Sequence, residues 1–140
     1  MPDSIPARKI FSVSVFWGYY LLILYLSLSS LIGGLNLSKK EILDMRLDYI
    51  FHFLAYLLFF CLYIILDYVG YPPFRSRPLL WLIIVTLLLG AGTEFLQGFS
   101  STRTFNLFDL LANCTGVAFG IILFLLRPYV LRIKFPSGRH

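Results

Sequence analysis

The stretch DYIFHFLAYLLFFCLYIILDYV, residues 48–69, decides the fold. A helix needs about 20 mostly apolar residues to cross the roughly 30 Å hydrocarbon core of a bilayer, and this run supplies them. Residues 11–32, 79–98 and 106–126 have the same character. The 140-residue chain is 59% hydrophobic and 14% charged, with a mean hydropathy of +0.81. A soluble domain has roughly 45–50% apolar and 25% charged residues. The expected architecture is all-α: a four-helix transmembrane bundle with short connections, in one domain over residues 1–140, with its core at 11–126 and a basic tail at 127–140. The net charge of +5 then concerns topology and anionic lipid, and nothing resembles a nucleic-acid-binding module. Arg8 and Lys9 before the first run imitate a signal peptide. That run exceeds the usual 7 to 15 residues or so and no small-residue cleavage site follows it, so it reads as a retained helix.

The connections carry their own signals. Gly70 stops the second helix and Pro72 and Pro73 forbid its continuation, so the third span turns straight back. Ser38 and Glu41 form an S-x-x-E capping box, which suggests a short surface helix, with a plain polar loop as the alternative. For orientation, the two tails and the Pro-rich connection hold Arg8, Lys9, Arg75, Arg77, Arg127, Arg132, Lys134 and Arg139. The other two connections hold Lys39, Lys40, Arg46 and Arg103. The positive-inside rule places both termini in the cytoplasm and residues 33–47 and 99–105 outside.

That orientation gathers Asp48, His52, Glu94, Gln97, Asp109 and Asn113 in the outer third of the membrane. At about 100° per residue, Asp48, His52 and Tyr56 form one stripe on the second helix, and Gly90, Glu94 and Gln97 share a face of the third. Asp109, Asn113, Gly116 and Gly120 lie within about 60° on the fourth. Polar groups above small residues on one face mark the side turned toward other helices. Ala112, Gly116 and Gly120 make a small-xxx-small series that admits close backbone approach. Cys61 and Cys114 sit in no CxxC pattern and read as packing residues. Trp17, Tyr19, Tyr20 and Tyr25 read as lipid-facing or interfacial bulk.

Bland explanations compete with function at each polar position. Asn106 is a good N-cap, and Asp109, like Asp48, could meet free backbone N–H groups and the positive end of a helix dipole. Glu94 resists such an account. It lies one turn before a helix C-terminus, where dipole and burial both disfavour an anion, so it must be protonated, paired or bound to something. Arg103 and His52 are the cations in reach, and a Glu94–Arg103 pair pinning the loop is the structural alternative. His52 gains standing from Asp48 one turn above it, a spacing that could orient the ring. One His and up to three carboxylates could bind a metal through oxygen-rich coordination or divide into acid and base roles. No HExxH-like signature backs a metal, so none is assigned, and the cofactor is unknown.

The ordered set DYIFHFLAY (Asp48, His52, Phe53, Tyr56), ExxQ (Glu94, Gln97) and RxxNxxDxxxNxxGxxxG (Arg103, Asn106, Asp109, Asn113, Gly116, Gly120) resembles the VanZ-like family of small bacterial membrane proteins. The resemblance spans residues 11–126. It departs at Tyr49, where the family usually has Lys, and at Asn106, where Ser is common. It implies a multi-pass protein of the bacterial plasma membrane, linked by the family's name to low-level teicoplanin resistance, with no settled biochemical activity. Two functions are therefore expected to compete. In one, an outward-facing pocket binds, and could alter, a lipid-linked or cell-wall-related amphiphile: Glu94, His52 and Asp48 take the catalytic roles, Arg103, Asp109, Asn113, Gln97 and Tyr56 hold substrate, and Gly90, Gly116 and Gly120 pack the helices. In the other, a non-catalytic protein uses the polar cluster to fix helix packing. Membrane lipids are the expected surroundings in both.

Overall fold

The computed structural model describes residues 7–28, 41–42, 45–99 and 106–133, with side chains over 7–28, 46–99 and 106–128. Four helices form among the described residues: α1 (Ala7–Leu28), α2 (Leu47–Tyr68), α3 (Pro78–Gln97) and α4 (Leu107–Ile133). All four are long and apolar enough to cross a membrane. Each closes its own backbone hydrogen bonds, which lipid requires of a spanning segment. Only 22 to 33% of each span's most apolar stretch is buried within the chain, and the remainder, rich in exposed Leu, Ile and Phe, is left for lipid.

The helix ends differ from expectation in two places. α1 is already helical at Ala7, and α4 runs past residue 126, through Arg127 and Pro128, to Ile133. A hydropathy run stops at its first charged residue. A helix does not, and Arg127 is accommodated because its guanidinium donates to Asp67 on α2 at 2.8 Å and lies 4.0 Å above the Phe124 ring. The surface helix expected from Ser38 and Glu41 is also corrected. Ser38 lies outside the described residues, and Glu41–Ile42 (β1) pairs antiparallel with Met45–Arg46 (β2), with Glu41 opposite Arg46. An extended Arg46 backbone, φ −63° and ψ 134°, leads directly into α2.

The α2–α3 connection shows why the chain reverses there. Gly70, at φ +86°, terminates α2 in a left-handed conformation that costs glycine nothing. Gly70 N–H donates to Asp67 and Tyr71 N–H to Leu66, both at 3.0 Å, the paired bonds of a Schellman motif. Pro78 then opens α3 at a position where a missing N–H is harmless. The Tyr63 hydroxyl donates to the Phe74 carbonyl at 2.6 Å and ties this connection to α2.

An aromatic core holds the bundle together: Phe16 from α1, Tyr56, Phe59, Phe60 and Tyr63 from α2, and Phe124 from α4, with Leu82 and Leu89 of α3. Tyr19 packs edge-on against Phe59 and donates to the Ala55 carbonyl at 2.8 Å, so it belongs to the α1–α2 contact, whereas Trp17 and Tyr25 are exposed. The most extensive pairing is between α2 and α4, which run parallel. Its closeness depends on glycine. A Cβ at Gly116 would stand 2.4 Å from the Phe53 carbonyl oxygen, and one at Gly120 would stand 2.3 Å from the Phe60 ring, both far inside van der Waals contact. A Cβ at Gly90 would only touch the Tyr56 ring, at 3.4 Å. Buried hydroxyls of Thr86 and Thr93 return to their own helix, donating to the Leu82 and Leu89 carbonyls at 2.7 and 2.8 Å.

Candidate functional site

The start of α2, the end of α3 and the start of α4 meet at one end of the bundle, and each brings an ionisable group. His52 of α2, Glu94 of α3 and Asp109 of α4 each offer an atom within 4.8 Å of the other two. Burial is strong: Glu94 is 0% and Asp109 9% exposed. His52 Nδ1 and Asn113 Oδ1 are 3.0 Å apart, and His52 Nε2 faces Asp109 Oδ2 at 3.8 Å. An amide oxygen can only accept, so with Asn113 in this orientation Nδ1 carries a proton, and Nε2 is the ring atom that faces Asp109. The Glu94 Oε2 lies at the N-terminus of α4, 3.5 Å from the Asn106 N–H. A carboxylate from the unfavourable C-terminus of one helix is thus placed against the positive N-terminus of the next.

Helical period puts Asp109 and Asn113 on one face of α4, and the helix crossings bring that face to His52 and Glu94. Asn106 caps α4, its Oδ1 accepting from the Phe108 N–H at 3.0 Å. That leaves Asp109 turned inward to the imidazole. Asp109 Oδ1 and Asn113 Nδ2 are buried and have no hydrogen-bond partner among the described residues. Tyr56, one turn deeper than His52, forms the floor. It is 1% exposed, its ring packs against Gly90 and its Cβ lies against Gly116.

Three expectations are corrected by this geometry. Asp48 does not orient His52: its carboxylate is held by the Arg46 guanidinium at 2.5 Å and by the Tyr49 N–H at 3.1 Å, and Asn113 takes the imidazole instead. Arg46 also donates to the Tyr49 hydroxyl at 3.0 Å and sits over that ring. Burial opposes the Arg46 charge, but the hydrogen bond and charge of Asp48 outweigh it and hold the guanidinium above its ordinary pKa. In the sequence Arg46 counted only toward topology, though its two-residue separation from Asp48 signalled the pair.

Gln97 likewise leaves the cluster: it donates through Nε2 to the Ser27 carbonyl of α1 at 2.8 Å and joins α3 to α1. Cys114 is exposed on the bundle surface and is no packing residue, while Cys61 is half-buried. Arg103, expected to reach this site, lies outside the described residues.

The arrangement can bind an electrophile, a cation or a hydrogen-bonding headgroup. It combines an imidazole whose Nε2 is aimed inward, two carboxyl groups and an amide, in a layer that lipid surrounds. Comparison with known proteins adds one relative. No protein-family model matches the chain, and no solved structure matches it. A protein of the fission yeast Schizosaccharomyces pombe, described as uncharacterized, is 33% identical over 76 residues, or 54% of this chain and 45% of that one. The chain thus matches less than half the length of that relative.

Proposed function

We propose that this integral membrane protein is VanZ-like, with both termini cytoplasmic, and that its polar layer receives the headgroup of an amphiphile from the outer leaflet. The observation that carries this reading is the meeting of His52, Glu94 and Asp109, from three helices, within 4.8 Å inside membrane-spanning segments. Ionisable groups at such depth are expensive and mark functional sites by default. The amphiphile enters sideways between helix ends, and its polar group exchanges hydrogen bonds with Asn113 and Asp109, whose buried Nδ2 and Oδ1 have none among the described residues. Arg8, Lys9, Arg75, Arg77 and Arg127 share the opposite end of the bundle, which supports a cytoplasmic placement for that end. A relative in a eukaryote favours a lipid headgroup over a molecule peculiar to bacterial walls. The cluster-as-packing-device reading is favoured only at Gln97, whose amide is spent on α1.

The test uses the full chain in nanodiscs of defined lipid with EDTA present. Native mass spectrometry measures retention of anionic, zwitterionic and isoprenoid-linked lipids by the parent chain and by Glu94→Gln, His52→Gln and Asp109→Asn. Selective retention of one headgroup class, lost in the three variants, is expected. Equal retention of every class by the parent and all three variants excludes the reading.

A further inference from the structure

We infer that His52, Glu94 and Asp109 form a binding site for one divalent transition-metal ion of the zinc class. The site goes beyond the headgroup reading and stands without it.

Three features of the geometry lead there. The first is the separation between donors. His52 Nε2 and Asp109 Oδ2 face each other at 3.8 Å, too far for a hydrogen bond, which needs roughly 2.7–3.2 Å. Two ligands about 2.1 Å from one tetrahedral ion stand about 3.4 Å apart. The pair is therefore spaced to share an ion and not to touch. Glu94 completes a set that spans no more than 4.8 Å, and rotation of the two carboxyl groups about their terminal bonds draws it in.

The second feature is the tautomer. A metal-binding histidine characteristically donates its other ring N–H to a fixed acceptor, which orients the ring and raises its basicity. Asn113, 2% exposed, places Oδ1 3.0 Å from His52 Nδ1 and fills that role. Nε2 is thereby the ring nitrogen left for an ion, on the side where Asp109 stands.

The third feature is an open valence in the interior. Asp109, 9% exposed, keeps Oδ1 buried and without a hydrogen-bond partner among the described residues. An ion bound by the carboxylate satisfies what no donor there does. It also cancels the two negative charges that ionised Glu94 and Asp109 would carry within a membrane span, where charge is costly. One nitrogen and two oxygen ligands suit zinc or manganese. Calcium and magnesium prefer all-oxygen shells with six or more ligands. Three protein ligands leave one position for an exchangeable group.

The experiment takes the full chain in detergent, stripped with EDTA and dialysed, and titrates it with zinc chloride by calorimetry, with magnesium and calcium chloride in parallel. Elemental analysis after equilibrium dialysis gives the stoichiometry. One zinc per chain is expected, with magnesium and calcium at least 100-fold weaker. His52→Gln, Glu94→Gln and Asp109→Asn are each expected to weaken zinc binding at least 100-fold. Asn113→Leu keeps the stoichiometry and costs about 10- to 100-fold, the usual range for a supporting residue. Cobalt substitution in the parent chain reads the coordination directly from its visible absorption and needs no variant to fold. Absence of zinc binding by the parent, or undiminished binding when all three ligands are replaced in a chain that still elutes as folded, overturns the site. A chain that retains a lipid headgroup in EDTA yet takes up no zinc removes this inference and leaves the headgroup reading standing.

Discussion

Adding a single methyl group at Gly116 is expected to force α4 off α2. A Cβ there stands 2.4 Å from the Phe53 carbonyl oxygen, 3.1 Å from the Tyr56 Cβ and 3.2 Å from the Leu57 backbone nitrogen. The partners at 2.4 and 3.2 Å are main-chain atoms of a continuous helix, so no side-chain rotation relieves the clash. Carbon and oxygen settle at about 3.3 Å or more, so the helices must separate by about 1 Å. Asn113 lies one turn away on the same face, and the same displacement stretches its 3.0 Å contact with His52 past hydrogen-bonding range. Overpacking of this kind costs about 1–3 kcal/mol and the lost hydrogen bond about 1 kcal/mol. Replacing glycine by alanine within a helix returns up to about 1 kcal/mol of propensity. The net expectation for Gly116→Ala is a loss of about 2 kcal/mol. Gly18 and Gly92 provide matched controls, since a Cβ at either meets nothing within 4 Å, and Gly18→Ala and Gly92→Ala are expected to be neutral or slightly stabilising. Reversible unfolding in mixed micelles, titrated with SDS and followed by far-UV circular dichroism, measures all three. Equal stability of Gly116→Ala and Gly92→Ala would refute the close α2–α4 packing and the site geometry built on it.

Three further outcomes follow from individual contacts. Tyr63→Phe removes the hydroxyl that donates to the Phe74 carbonyl at 2.6 Å and is expected to cost about 1 kcal/mol in the same unfolding titration, with protease cutting in the 70–77 connection accelerated. Gln97→Leu loses the bond to Ser27 and is expected to cost about 1 kcal/mol of stability while lipid retention and zinc affinity stay at parental values; a selective loss of either would return Gln97 to the site. The Asp67–Arg127 pair is partly exposed, at 35% and 26% of the side chains. Solvent screening limits its coupling in a double-mutant cycle to about 1 kcal/mol or less, shrinking as salt is raised.

The number of spans and the faces they turn inward were legible because they follow from run length and helical period alone. Any helix carrying Asp109, Asn113, Gly116 and Gly120 must present them together. Periodicity does not say which neighbour receives a face. Gln97 shares the face of Glu94, yet it reaches α1 while Glu94 reaches α4, and only the crossing of the helices separates the two. Asp48 was misassigned for a local reason: Arg46 leads into α2 from an extended strand and reaches the carboxylate before the imidazole can. Cys114 could have been placed correctly, since one residue beyond Asn113 turns a side chain about 100° away from the interior. The length of α4 was hidden because Arg127 interrupts the hydropathy run while its partner, Asp67, is 60 residues earlier.

The outward-facing thiol of Cys114 has a practical consequence. A nitroxide coupled there rides on the lipid side of α4, one residue from Asn113 but away from the interior. Its collision rates with dissolved oxygen and with a water-soluble paramagnetic complex measure immersion depth. Restricting that complex to one side of a sealed liposome tells which aqueous compartment the ligand cluster borders.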